Sequence, residues 1–148
     1  MNETLVKFGY PDSVIQSYNH WSVLLRPQQI TLGSLILACH SPEQAFGQLP
    51  AETMQEFAAI IRDIESNLTR CFSYDKINYL MLMMVDPHVH FHVIPRYQDS
   101  REFGSVHYQD VSWPGPPDLA ANIGLSKSQG LRLKEHLAKH WLTVNHAN

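Results

Sequence analysis

In His88-Val89-His90-Phe91-His92-Val93-Ile94 polar and apolar residues alternate from His88 to Val93, and Pro95 follows Ile94. A period of two is the signature of a strand with one buried face. It assigns His88, His90 and His92 to one side and Val89, Phe91 and Val93 to the other. Neighbouring imidazoles then stand ~6.6 Å apart and the outer pair ~13 Å apart. Pro95 cannot donate to a ladder, so the strand is expected to stop there. With nine histidines in 148 residues, chance gives such a match in roughly one chain in a thousand.

The rest of the chain supplies partners for that strand. His20–Leu25 and Gly33–Cys39 read as two strands, and the short polar stretch between them makes an antiparallel hairpin. Pro50 and Glu52 open a helix that continues through Arg70, with Phe57, Ile61, Ile64 and Leu68 along one side. Lys76–Met84 is apolar on both faces and is expected to be a central strand; Asp86-Pro87 then marks a turn. Residues 98–125 read as irregular structure. Ser126 and Gln129 fit a capping box for a last helix ending near Trp141. The fold class expected is α+β: an antiparallel sheet meander, one long helix packed on it and a C-terminal helix, in a single domain over 1–148.

Composition narrows the function. A formal charge of −3 argues against nonspecific nucleic-acid binding through a basic face. The longest uncharged apolar run, Tyr79–Val85, is far below the ~20 residues of a membrane span. Cys39 and Cys71 do not make a disulfide framework and read as small core residues. Met1-Asn2-Glu3-Thr4 does not begin a secretory signal, so a reduced cytoplasmic setting is expected.

Three chemistries fit a row of imidazoles. Zinc would take two of the three and a distant ligand, because the outer pair is too far apart along a straight strand. A half-exposed strand whose polar face happens to be histidine is the second. Phosphorus chemistry is the third: a neutral imidazole is a good nucleophile and a fair leaving group, and its neighbours can hydrogen-bond phosphoryl oxygens.

The segment His88–Ile94 resembles the signature of the histidine-triad superfamily, three histidines separated by single apolar residues. Pro95-Arg96 is similar to its fragile-histidine-triad, dinucleoside polyphosphate hydrolase-like branch. The resemblance runs from about residue 18 to 96. It implies a homodimer with a continuous sheet and a nucleotide hydrolase or nucleotidyl transferase. Such an enzyme cleaves at the α-phosphate of a nucleoside polyphosphate or phosphoramidate through a covalent nucleotidyl-histidine. A nucleotide-binding module with little catalysis is the alternative. Carried onto this chain, His90 is the nucleophile, and His88, His92 and Arg96 contact the substrate. No resident cofactor or metal is implied; a divalent cation would come with the substrate phosphates.

Family members usually have a glycine-bearing phosphate loop before the triad, and this chain has only Val85-Asp86-Pro87. The pocket is therefore expected to be completed by residues 98–117 or by a partner chain, or else to be incomplete. Arg26 stands near the place of the family's ribose-binding acidic or amide residue, and Gly33-Ser34 replaces the usual Gly-His. The central ring is expected to be open to substrate. Elsewhere, His136 and His140 sit one helical turn apart without a third ligand. His107, with Tyr108 and Trp113, reads as an aromatic-anchored loop rather than a base pocket. His20, His40 and His146 form no constellation.

Overall fold

The computed structural model describes residues 2–144, so His146 lies outside the described residues. The elements in order are α1 (Glu3–Lys7), β1 (Val14–Ser17), β2 (Trp21–Leu25), β3 (Leu35–Cys39), α2 (Ala51–Phe72), β4 (Lys76–Leu80), β5 (His90–Arg96), β6 (Arg101–Phe103), β7 (Val106–Tyr108) and α3 (Lys127–His140). Five strands form one antiparallel sheet in the order β1-β2-β3-β5-β4, and β6 pairs β7 alone. This is the α+β meander expected, with both helices where the periodicity puts them.

Each layer follows from local chemistry. β2 and β3 are buried along their whole length, as their near-continuous apolar content requires. α2 starts after Pro50 and ends on Ser73, whose φ of 51° is left-handed and whose N–H donates to the Thr69 carbonyl. Its Ile60, Ile64 and Leu68 are fully buried against Val89, Phe91 and Val93 and the apolar residues of the neighbouring strands. Burying each such side chain contributes about 1.5–3 kcal/mol. α3 begins with the capping box: Ser126 Oγ accepts from Gln129 N, and Gln129 Oε1 accepts from Ser126 N. Gly33 turns the chain into β3 at φ +84°, where a Cβ would also lie 3.1 Å from the Phe72 ring.

Four expectations need correction. β4 ends at Leu80 and is an edge strand, half-exposed rather than central. Beyond it the chain leaves the sheet, and Leu82, Met84 and Val85 stay exposed. Pro95 does not end β5, which continues to Arg96. β3 pairs β5 only as far as Val93, so Pro95 lies where one flank has no ladder to break. Residues 101–108, read as irregular, contain the β6–β7 hairpin. Finally, α1 and β1 had no counterpart in the sequence reading; both are too short to show a period.

Candidate active site

The register of β5 decides which side chains meet. His90 pairs with Ala38 and His92 with Ile36 on β3, and Leu24 on β2 lies opposite Ile36. These residues therefore share the sheet face turned away from α2. Leu5 and Phe8 of the N-terminal segment cover that face, packing on Leu24, Ile36 and Ala38.

Two of the three triad rings come together. His90 and His92 have ring centroids 5.4 Å apart at an interplanar angle of 70°. His88 precedes the strand rather than belonging to it. Its Nδ1 is 3.0 Å from Thr4 Oγ1, so the α1 segment holds it. The cause is the Asp86-Pro87 bend, which lets the chain join the ladder fully only at His90.

The central ring is not open. Phe8 lies over both imidazoles, 5.6 Å from His90 and 5.8 Å from His92 by ring centroids. His90 is 1% exposed and His92 8%. This overturns the expectation of an accessible central histidine. The reason is the N-terminal segment, whose Leu5 and Phe8 pack on the apolar residues of that face.

Hydrogen bonding fixes where the protons sit. His90 Nδ1 is 2.7 Å from the His88 carbonyl. A carbonyl only accepts, so Nδ1 carries the hydrogen and neutral His90 holds its lone pair on Nε2. For His92 the logic runs the other way. Arg26 Nε donates to His92 Nδ1 at 3.2 Å, and a guanidinium only donates. Nδ1 is therefore the acceptor and Nε2 carries the hydrogen. Adjacent rings thus offer a nucleophilic lone pair and a hydrogen-bond donor.

His92 stays neutral over the working range. Burial first, then the positive charge of Arg26, bring its pKa down to about 4. In the unfolded chain an imidazole titrates near ~6.5. Between these values the unfolded state binds more protons, so stability rises with pH across that window and is lost as pH falls through it. We expect His92→Asn to remove roughly 1–3 kcal/mol of the acid destabilisation between pH 7 and 4.5. Urea midpoints of parent and variant measured at both pH values check this; parallel losses in the two proteins would refute it.

Arg26 owes its position to Gln29. That buried amide accepts from the backbone N–H groups of Gly33 and Ser34 and donates to the carbonyls of Arg26 and Ser34. The loop after β2 is thereby a rigid clamp. Arg26 and His92, with Lys7, Phe8, Pro27, Gln28 and Asp86, line a cleft of about 360 Å³. So α1 and this loop border the histidines, in place of the expected residues 98–117. Polar residues in a short turn between two largely apolar strands were the signal that could have singled out Gln29.

Arg96 lies four residues beyond His92, ~13 Å along the strand. Its Nε donates to Asp110 Oδ2 at 2.7 Å and its Nη2 to Asp110 Oδ1 at 3.1 Å; Asn78 and Ser112 take further bonds. His107 is exposed beside Glu102 and lines neither this cleft nor a base pocket with Trp113. Among the described residues no group of three or more His, Cys, Asp or Glu side chains is arranged to hold a metal ion.

A strand-borne histidine pair on a five-stranded antiparallel meander, backed by one long helix, defines a histidine-triad class of protein. The HIT domain model matches residues 10–99, and the chain belongs to that family. Solved structures share the fold. A histidine triad protein from Marinobacter aquaeolei matches with a TM-score of 0.71 and 22% identity, over 96% of this chain and 97% of that one. One from Bradyrhizobium japonicum gives 0.72 and 16%, over 96% and 97%. A hypothetical histidine triad nucleotide-binding protein from Sulfolobus tokodaii gives 0.66 and 13%, over 92% and 87%. No curated protein matches the chain in sequence.

Proposed function

We propose that the chain is a nucleotide hydrolase or nucleotidyl transferase in which His90 forms a covalent bond to the α-phosphorus of its substrate. The observation that carries this reading is the paired tautomers: a lone pair on His90 Nε2 beside a hydrogen on His92 Nε2, each fixed by a partner that has one role. His90 Nε2 attacks phosphorus, and the bond from phosphorus to the leaving group breaks. The His90 ring becomes cationic, stabilised by its Nδ1–H bond to the His88 carbonyl. Neutral His92 donates a hydrogen bond to a phosphoryl oxygen and does not surrender a proton readily. Water then attacks the same phosphorus, the His90–phosphorus bond breaks, and the monophosphate departs as water's proton passes to solvent.

A leaving group that departs unprotonated suits such a site. The reading therefore favours phosphoric anhydrides, as in dinucleoside polyphosphates of the fragile-histidine-triad type, over phosphoramidates, whose amine must be protonated as it leaves. His88, tied to Thr4, orients the backbone carbonyl that serves His90 and contacts substrate once α1 moves. Arg96 commits its donors to Asp110, Asn78 and Ser112, and in this scheme it braces the strand end. It meets a phosphate only if that pairing opens. No resident cofactor enters the scheme; a divalent cation would travel with the substrate phosphates.

Since His90 is 1% exposed, substrate reaches it only after a covering side chain moves. Phe8 lies against its ring, just past the end of a helix too short to be stable by itself. A homodimer accords with the open flank of β4; a sedimentation mass of one chain would remove it. The mechanism is tested by mixing protein with labelled dinucleoside polyphosphate and quenching in base, where a phosphorus–histidine bond survives. An adduct on His90 is expected. Turnover with no adduct trapped at any time point, and no burst of leaving group, would refute the covalent step.

A further inference from the structure

Two guanidinium groups are buried near the sheet, and only one has a counter-charge. Arg96 is ion-paired to Asp110. Arg26 is 8% exposed, yet among the described residues no carboxylate lies within 4.0 Å of it. Its Nε donates to His92 and its Nη1 to the Gln28 carbonyl at 2.7 Å. Its Nη2 has no hydrogen bond among the described residues. Buried charges are ordinarily paired, because desolvating one alone costs several kcal/mol. An isolated buried guanidinium at the wall of a cleft is therefore a place where an anion would be welcome.

The other charges of the cleft sharpen this. Lys7 Nζ meets both oxygens of Asp86, at 2.8 and 3.0 Å. That pair cancels itself. His92 is neutral. The positive charge of Arg26 is what remains, and it stands one ring beyond His90 along the line His90–His92–Arg26.

We propose that Arg26 seats a second phosphate of the substrate, distinct from the one His90 attacks. The preferred ligand class is a nucleotide bearing two phosphoryl groups. The proposal rests on the assignment of His90 and His92 made above. The planar fork of a guanidinium matches two phosphate oxygens, and Nη2 is the donor held ready. The second phosphate can come from an anhydride chain or from a phosphorylated ribose; the chemistry at Arg26 is the same.

Calorimetric titration separates the possibilities. The probes are AMP, ADP, adenosine 3′,5′-bisphosphate and inorganic pyrophosphate, against the parent, Arg26→Gln and Arg26→Lys. A doubly phosphorylated nucleotide is expected to bind the parent about tenfold or more tightly than AMP. That preference, read as the ratio of the two affinities within each protein, should vanish in Arg26→Gln and survive in part in Arg26→Lys. ADP winning identifies the anhydride source; the bisphosphate winning identifies the ribose. A parent that binds all three nucleotides equally overturns the proposal. So does an Arg26→Gln variant that weakens AMP as much as ADP, because Arg26 would then act only by positioning His92. Pyrophosphate bound by the parent and lost in Arg26→Gln, with no nucleotide bound, keeps the phosphate seat and sinks the nucleotide reading. Binding of no probe overturns both. Should Arg26→Gln melt below the assay temperature, the parent's ADP-to-AMP ratio and its change in Arg26→Lys decide.

Discussion

His90→Ala is expected to lower turnover of a dinucleoside polyphosphate by about a thousandfold or more, since on the proposed mechanism it removes the atom that bonds phosphorus. The covalent adduct should disappear with it. The variant should still fold. The ring it deletes touches Phe8 and His92, and its one bond to the His88 carbonyl lies at the margin of the sheet. Losing these contacts costs about 1–3 kcal/mol, short of the total stability of a typical domain. His92→Ala provides the contrast. It removes a hydrogen-bond donor and not the nucleophile, so slower turnover with the adduct still formed is expected. Quenched-flow measurement of leaving-group release, with circular dichroism to confirm folding, checks both. Turnover of His90→Ala within a few-fold of the parent would end the proposal.

Asp110→Ala should produce the largest loss of stability among the single changes considered. Its carboxylate takes two bonds from Arg96 and one from the Tyr97 backbone N–H, with both side chains almost fully buried. Removing one partner of such a pair leaves an uncompensated buried charge and costs about 3–5 kcal/mol. For a chain of this size the melting temperature should fall by roughly 10 °C or more. Asp110→Asn, which keeps an acceptor, should lose less. Scanning calorimetry measures the shift. A drop of only a degree or two in Asp110→Ala would mean that Arg96 finds another partner and is free to reach a phosphate. The distinction matters because sequence reasoning placed Arg96 on the substrate.

The alternation of residues 88–94 carried most of what could be read in advance. It made Val89, Phe91 and Val93 the face that meets α2, and it put His90 and His92 side by side. The Ser126–Gln129 capping box and the stripe from Phe57 to Leu68 located both long helices. What escaped was whatever depends on contacts far apart in the chain. Nothing in Glu3–Lys7 announces a helix that will lie over the histidines, because its partners are Leu24, Ile36 and His88. Lys76–Met84 looked central because it is apolar on both sides. An edge strand can carry the same residues when the segment after it leaves the sheet. Arg26 stands out in the sequence only by family analogy, whereas the role proposed for it is argued from the Gln29 clamp and from the absence of a nearby carboxylate among the described residues.

The hydrogen bond from Arg26 to His92 and the contact of Thr4 with His88 bear on any attempt to transplant the motif. A graft of residues 88–94 into a foreign antiparallel sheet would carry the imidazoles across without the guanidinium that dictates the state of one of them. The tautomer of the grafted His92 ring would then be set by its new surroundings and not by Arg26. The smallest transferable unit is discontinuous: the histidine strand, the Gln29-clamped turn and residues 2–8 travel together or the arrangement of the rings is lost.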